Sequence, residues 1–182
     1  MPVAPEPPAI AATRRWIAEA IVGENLCPFA AGPWRTDRVE LLLAEGPDPA
    51  HASALLAGLA DRMARSPEPE TALLVLPEGY SDLADFLDFF YAAEDWIAAE
   101  YPAAFALAAF HPEYAFADEP PDAPAHLIHR SPYPTLHVLR ESSIGRAVDA
   151  YPGIEDIPAR NTATAARLGR EFFEAFRARG SR

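Results

Sequence analysis

Four short apolar runs alternate with stretches of helical periodicity, and this alternation limits the chain to an α/β or α+β fold. Each run has the length of a buried strand and ends near glycine, proline or charged residues, which favour turns. The runs cover residues 39–44, 71–76, 105–110 and 134–139. We therefore expect a mixed four-stranded sheet.

Helical spacing of apolar residues predicts about five helices that cover this sheet. Asp48 is the expected N-cap of the second helix and Ser81 that of the third, while Pro102 marks the end of the third. The predicted helices span residues 10–26, 48–65, 81–101, 143–150 and 159–179.

The order of elements predicts three parallel strands and one antiparallel strand. Two strand–helix–strand units come first, and such units make right-handed crossovers between parallel strands. Residues 113–132 then show no helical pattern, so we expect the fourth strand to return antiparallel beside the third.

The length and composition predict one domain. The 182 residues are 50% hydrophobic and 23% charged, which is the balance of a globular chain. Residues 1–8 are rich in proline and are expected to form a flexible tail, with a single globular domain over residues 9–180.

The composition also excludes several function classes. The chain has no lysine, which rules out lysine Schiff-base chemistry and a Walker P-loop, and its one cysteine, Cys27, rules out an internal disulfide. A net charge of −12 argues against nucleic-acid binding. No apolar run approaches the roughly 18 residues of a membrane span, and no signal peptide is recognised, so we expect a cytoplasmic protein without membrane contact.

Titratable residues cluster where the topology predicts a ligand crevice. Ligands of open α/β sheets bind beyond the carboxyl ends of parallel strands. His111 follows the third strand, while Arg130 precedes the fourth strand and His137 lies within it. Antiparallel pairing of these strands would make His111 and His137 near neighbours at this rim, whereas a register shifted by one residue would place them on opposite faces.

Three chemistries remain open for such a cluster. His111, His137 and Cys27 are suitable ligands for a divalent metal, the one cofactor that we consider. Either histidine can act as a general acid–base group oriented by Glu113 or Glu141. Cys27 can also pair with a histidine as a nucleophile.

Each of these residues also has a purely structural interpretation. The two histidines are equally typical of hydrogen-bonded residues at strand ends, and Cys27 of a small buried apolar side chain. Arg130 can bind a carboxylate or phosphate, or anchor the long segment to backbone carbonyls. We expect the remaining histidines to be exposed, namely His51, His126 and His129, although His126 and His129 could also extend a metal cluster.

Four ordered motifs carry a family resemblance. They are Asn25-Leu26-Cys27-Pro28-Phe29-Ala30, Phe110-His111-Pro112 with Tyr114 and Phe116, the segment from Arg130 to Glu141, and Ile157-Pro158 with Arg160 and Asn161. Over roughly residues 10–173 the chain resembles the bacterial domain of unknown function 1415 family. The resemblance implies a single-domain bacterial protein and no particular activity. Its signature residues would include Cys27, His111, Arg130, His137 and Asn161.

Our first functional hypothesis is a small enzyme that acts on an anionic small molecule at the sheet edge. The histidines would perform acid–base or metal chemistry, and Cys27 would be a nucleophile or third metal ligand. The anion would be bound by the guanidinium groups and by polar motif residues, namely Arg130, Arg140, Tyr133 and Asn161.

The alternative hypothesis is a non-catalytic binding or protein-interaction module with structural histidines. The long segment would then present exposed apolar side chains to a partner, among them Tyr114, Phe116, Pro132 and Tyr133.

Overall fold

The four apolar runs form the strands that their patterns predict. The computed structural model describes residues 5–177, so the sequence predictions for residues 1–4 and 178–180 lie outside it. The strands are β1 (Val39–Leu43), β2 (Thr71–Val75), β3 (Phe105–Phe110) and β4 (Thr135–Arg140).

Seven α-helices surround the sheet in the described part of the chain, rather than about five. They are α1 (Pro8–Trp16), α2 (Ala31–Arg35), α3 (Pro49–Arg65), α4 (Leu83–Glu100), α5 (Ala125–Ile128), α6 (Glu141–Ala150) and α7 (Ile157–Glu174). A π-helical segment, Ile17–Val22, continues α1, and a short 3₁₀ turn, Ile154–Asp156, precedes α7. The extra helices α2 and α5 are too short to show a helical period in the sequence.

The capping residues explain where two of the long helices begin. The side chain of Asp48 accepts a hydrogen bond of 2.9 Å from the backbone N–H of Ala50, which confirms the predicted cap of α3. At α4 the cap is Asp82 rather than Ser81, because the Asp82 carboxylate accepts from the N–H groups of Ala84 and Asp85.

The strand order β1-β2-β4-β3 corrects the prediction of three parallel strands. β1 pairs with β2 in parallel, whereas β4 lies between β2 and β3 and is antiparallel to both. The connection from β2 through α4 to β3 therefore leaves one strand position between β2 and β3, and β4 occupies that position. The predicted antiparallel pairing of the third and fourth strands is confirmed, but only one of the three strand pairs is parallel.

Helices cover both faces of the sheet and divide the core in two. α3 and α4 pack on one face, around Leu56, Phe86 and Leu136. The opposite face carries α1, the π-helical segment and α7, around Trp16, Leu73 and Phe173. In the described residues no helix is both long and apolar enough to cross a membrane.

Candidate functional site

The expected meeting of His111 and His137 is wrong, because the two side chains lie on opposite faces of the sheet. In the β3–β4 ladder His137 pairs with Ala108, and Phe110 pairs with Thr135. His111 follows Phe110 and stacks on Phe86, in the core under α3 and α4. The register therefore offsets the two histidines by an odd number of positions, and side chains alternate between faces along a strand.

His111 is held by the backbone through both ring nitrogens. Its Nδ1 accepts a 3.0 Å hydrogen bond from the N–H of Glu113, so its Nε2 carries the proton and donates to the Tyr80 carbonyl oxygen at 3.0 Å. The side chain is only 1% exposed. Neither nitrogen is left for a metal or for proton transfer, and this geometry fits the structural interpretation of His111.

The opposite face holds a cavity of about 350 Å³, which we call the central cavity. Its floor is the sheet, and its walls are the π-helical segment, the loop that follows it, α6 and α7. Most of the lining is apolar, with Trp16, Ile17, Ile21, Leu26, Phe29, Leu73, Phe110 and Ile144 among its members. The polar groups that line it are Cys27, Glu70, Thr71, His129, His137, Arg140, Ser143 and Asn161.

His137 lies in this lining and contacts a threonine of the neighbouring strand. The Thr71 Oγ1 atom is 2.6 Å from His137 Nε2 and 2.7 Å from the Val138 carbonyl oxygen. A hydroxyl has one proton, and a carbonyl only accepts, so both contacts are satisfied when Thr71 donates to Val138 and His137 Nε2–H donates to Thr71. Nδ1 is then unprotonated. Burial lowers the pKa of His137 to about 4, so the ring is neutral at pH 7.

His129 is a second histidine of the central cavity, rather than the exposed residue that we expected from the sequence. Its ring stacks on Phe110 with centroids 5.6 Å apart and on Tyr114 at 4.9 Å. Burial lowers the pKa of His129 as well. The rings that contact it, Phe110, Tyr114 and Phe116, are distant from it in the sequence, so no local pattern indicated that His129 packs inward.

Cys27 lies in the cavity wall, in a tight turn that follows the π-helical segment. Asn25 adopts a left-handed conformation with φ 53°, a conformation that asparagine tolerates better than most residues. The turn is closed by the Cys27 N–H, which donates to the Ile21 carbonyl oxygen at 3.3 Å. Burial raises the pKa of the half-buried Cys27 thiol. Backbone hydrogen bonds with Phe29 and Ala30 lower this pKa, but by less. The thiol is therefore protonated at neutral pH.

Arg140 and Asn161 also belong to the central cavity, as two of the predicted binding residues. Arg140 donates from Nε and Nη2 to the Pro69 carbonyl oxygen and from Nη2 to that of Ser66 at 2.6 Å. The guanidinium also lies over the Phe105 ring, 5.8 Å from its centroid, so the charged group is on the face of the sheet under α3 and α4, opposite His137. Asn161 Nδ2 donates to the Leu26 carbonyl oxygen at 2.6 Å, which ties α7 to the turn that carries Cys27.

The other predicted site residues lie elsewhere. Arg130 lines a separate cavity of about 170 Å³ together with Arg170, and its Nε donates to the Tyr114 carbonyl oxygen. Tyr133 packs with the small cluster around Val75. Glu141 is exposed at the start of α6, and neither it nor Tyr133 lines the central cavity.

The predicted metal ligands are not assembled. Cys27 and His137 share the central cavity, while His111 is on the other face with both nitrogens occupied. Within residues 5–177 no group of three or more His, Cys, Asp or Glu side chains could hold a metal ion. Glu113, the predicted orienting carboxylate, instead pairs with Arg177.

The long segment between β3 and β4 folds inward. His126, expected at the surface, is 1% exposed; its Nδ1 accepts from the Phe116 N–H, and its Nε2 donates to the Pro120 carbonyl oxygen at 2.7 Å. Phe116 and Tyr114 are half-buried, and their rings contact each other with centroids 5.1 Å apart. Tyr114 and Phe116 are therefore partly covered by the segment itself.

Comparison with known proteins assigns the chain to a family. A family model described as a protein of unknown function, DUF1415, matches residues 8–175, nearly the whole chain. The chain belongs to the DUF1415 family. No curated protein and no solved structure matches it. In this DUF1415 protein the motif residues divide spatially: Cys27, His137 and Asn161 line the central cavity, whereas His111 and Arg130 do not.

Proposed function

We propose that this DUF1415 protein is an enzyme that acts on a small molecule with an apolar body, bound in the central cavity, with carboxylic acids as the class to test first. The observation that carries the proposal is the placement of a neutral, hydrogen-bonded His137 in the lining of an apolar cavity that also contains Cys27. Concave, mostly apolar sites with a few polar groups and a shifted pKa are typical of active sites.

His137 is the proposed general acid–base residue. Thr71 fixes the orientation of the ring, and the Nδ1 lone pair has no partner among the described residues. A neutral imidazole in an apolar wall can take a proton from a bound molecule and return it later in the reaction. The register of β2 and β4 holds the pair rigidly, since His137 is opposite Leu73 and Thr71 opposite Leu139.

Arg140 limits the cavity at the end of β4 rather than binding the substrate. Arg140 pairs with Phe105 across the sheet, and its guanidinium lies over the Phe105 ring, on the face opposite His137. The apolar body of the substrate would contact the walls formed by Ile17, Ile21 and Ile144.

Cys27 is the proposed nucleophile of the same site. Its thiol is protonated at rest, so attack on a substrate requires that a base first accept the thiol proton, and His137 is a neutral base in the same cavity. The wall opposite the sheet includes the π-helical segment, a conformation that is frequent at functional sites.

The test is turnover of a defined set of small carboxylic acids with aliphatic or aromatic bodies, followed by mass spectrometry. We expect one or more acids to be converted, and the conversion to be lost in His137→Asn and strongly reduced in Cys27→Ala. His51→Asn is the matched control, because His51 is exposed on α3 and does not line the cavity. Acids that bind without being converted would contradict the enzyme proposal and support a binding protein.

A further inference from the structure

A second, smaller cavity of about 170 Å³ is lined by two arginines, Arg130 and Arg170, and we call it the arginine cavity. Its walls come from residues 122–130, which include α5, and from α7. Leu127 and Arg130 line the arginine cavity, whereas His129, between them in the sequence, lines the central cavity. The two cavities are therefore neighbours, and no residue lines both of them.

The Arg130 guanidinium is anchored on one side and open on the other. Its Nε donates to the Tyr114 carbonyl oxygen at 3.2 Å. Nη1 and Nη2 donate no hydrogen bond within residues 5–177, and neither belongs to the buried unpaired atoms of this part of the chain, so both are accessible. These two nitrogens form the edge with which a guanidinium binds two oxygens of one anion.

Arg130 has no carboxylate partner among the described residues, although two other arginines near it do. Arg170 pairs with Glu174 at 3.7 Å, and Arg177 pairs with Glu113. Burial lowers the pKa of Arg130, and the positive charge of Arg170 lowers this pKa further, so the two guanidinium groups lie close together. A half-buried charge without a partner costs free energy, and a bound anion would offset that cost.

Arg170 brings further donors to the same cavity. Its distance of 3.7 Å from Glu174 is too long for a hydrogen bond, and Arg170 donates no other side-chain hydrogen bond within the described residues. Gly169 also lines the cavity and interrupts the helical geometry of α7 with φ 76° and ψ 166°, a conformation that is essentially restricted to glycine. The kink in α7 thus lies at the cavity wall, next to Arg170.

We propose that the arginine cavity binds a phosphate group, with Nη1 and Nη2 of Arg130 as the main donors and Arg170 as the second cation. The cavity is smaller than the roughly 300–1,000 Å³ of sites for drug-sized ligands, so it suits a small anion or the end group of a larger molecule. A phosphate has more acceptor oxygens than a carboxylate and can carry two negative charges, which match two guanidinium groups.

Asp122 also lines the arginine cavity, and its charge opposes the binding of an anion. The residue is exposed and makes no ion pair with Arg130 or Arg170 within residues 5–177. Because exposed charges are screened by water and salt, we expect Asp122 to weaken phosphate binding without preventing it. Asp122→Asn should therefore tighten phosphate binding by about two- to fivefold.

The test is an NMR titration of the full chain with inorganic phosphate, methyl phosphate and acetate, at pH 8 and constant ionic strength. We expect one phosphate to bind per chain with a Kd of about 1 mM or less, and acetate to bind at least about fivefold more weakly. Backbone resonances of the arginine cavity should shift, and those of the central cavity should not. A preference for methyl phosphate would identify an ester as the ligand, and a preference for inorganic phosphate would identify the free ion.

Three variants with the same change in charge test the residues of the site. Arg130→Gln should weaken phosphate binding at least about tenfold, because it removes the guanidinium edge. Arg170→Gln should weaken it by about two- to fivefold, and this exposed position keeps the test valid if Arg130→Gln does not fold. Arg167→Gln is the matched control, since Arg167 is exposed on the same helix, pairs with Glu24 and does not line the cavity. Thermal unfolding of each variant separates weaker binding from loss of structure.

The inference would be overturned by any of three results. They are the absence of saturable phosphate binding at millimolar concentration, equal weakening by Arg170→Gln and Arg167→Gln, and acetate binding as tight as that of phosphate. Weaker binding in Arg130→Gln and Arg170→Gln together with tighter binding in Asp122→Asn would support it. None of these measurements involves the central cavity, so the outcome is independent of the proposed enzymatic function.

Discussion

His111 and His137 lie on opposite faces of the sheet. His137 belongs to β4, and His111 directly follows β3, the strand that pairs with β4. His111 contacts Phe86 under α4 and bonds to the backbone on both sides of its ring. His137 contacts Thr71 and lines the central cavity. Replacing the two histidines should therefore have different consequences.

Replacement of His111 should affect stability rather than ligand binding. His111→Ala leaves the Tyr80 carbonyl and the Glu113 N–H without their partner and opens a gap beside Phe86. We expect a loss of about 2–4 kcal/mol in the free energy of unfolding, measured by urea denaturation. Acid binding in the central cavity, measured by titration below the transition, should be unchanged. A stable His111→Ala protein with impaired acid binding would show that His111 serves the site.

Acid should destabilise the protein through His137. The unfolded pKa is near 6.5 and the folded pKa is about 4, so the unfolded chain takes up the proton first as the pH falls. The contribution of neutral His137 is complete above about pH 6.5 and is lost progressively between there and pH 4. At pH 4 the loss amounts to about 3 kcal/mol.

The check on this linkage is urea denaturation of wild type and His137→Asn at pH 7.5 and pH 4.5. The wild type should lose more stability than the variant over this interval, because asparagine does not titrate. Burial lowers the pKa of His111 and His129 in the same direction, so the variant should keep part of the decline. An equal loss of stability in wild type and variant between pH 7.5 and pH 4.5 would show that His137 is not held neutral by burial in the folded protein.

Cys27 should react slowly with alkylating agents. Burial raises the pKa of its thiol, and the thiolate is the reactive form. At pH 7.5 we expect modification by iodoacetamide at least about tenfold slower than for N-acetylcysteine, followed by intact mass. Cys27 is the chain's one cysteine, so a single mass increment reports it without ambiguity. A rate equal to that of the free thiol would contradict the burial of Cys27.

Glycine is required at the turn after β2. Gly79 has φ 87°, and a Cβ built there would lie 2.8 Å from the Pro47 Cα in the turn after β1. Gly79→Ala should lower the free energy of unfolding by more than about 2 kcal/mol, from backbone strain and the contact with Pro47. Gly58→Ala is the opposite control, since Gly58 is exposed within α3 with open space around it. That change should raise stability by about 0.5–1 kcal/mol.

Local patterns were sufficient to predict most of the secondary structure. The strands begin and end within about one residue of the apolar runs, and Asp48 caps α3 as predicted. These features depend on side chains a few residues apart, which a single sequence displays directly. Short helices such as α2 and α5 complete too few turns to leave a periodic pattern.

The candidate site was predictable only in part. The motifs predict Cys27, His137 and Asn161, and these residues share the central cavity. The positions of His111, Arg130 and Arg140 next to or within the paired strands predict that they join the same site, but their side chains do not. That grouping required the register of β3 against β4, and a shift by one residue reverses the face of every side chain.

The sequence by itself thus determined the number of strands, the positions of the long helices and the absence of lysine chemistry, since these depend on composition and on neighbours along the chain. Only the tertiary structure decided that β4 lies between β2 and β3, and that His137 faces a cavity while His111 faces the core. The physical reason is that these properties depend on contacts between segments far apart in the chain, such as Asn161 with Leu26, which no local pattern encodes.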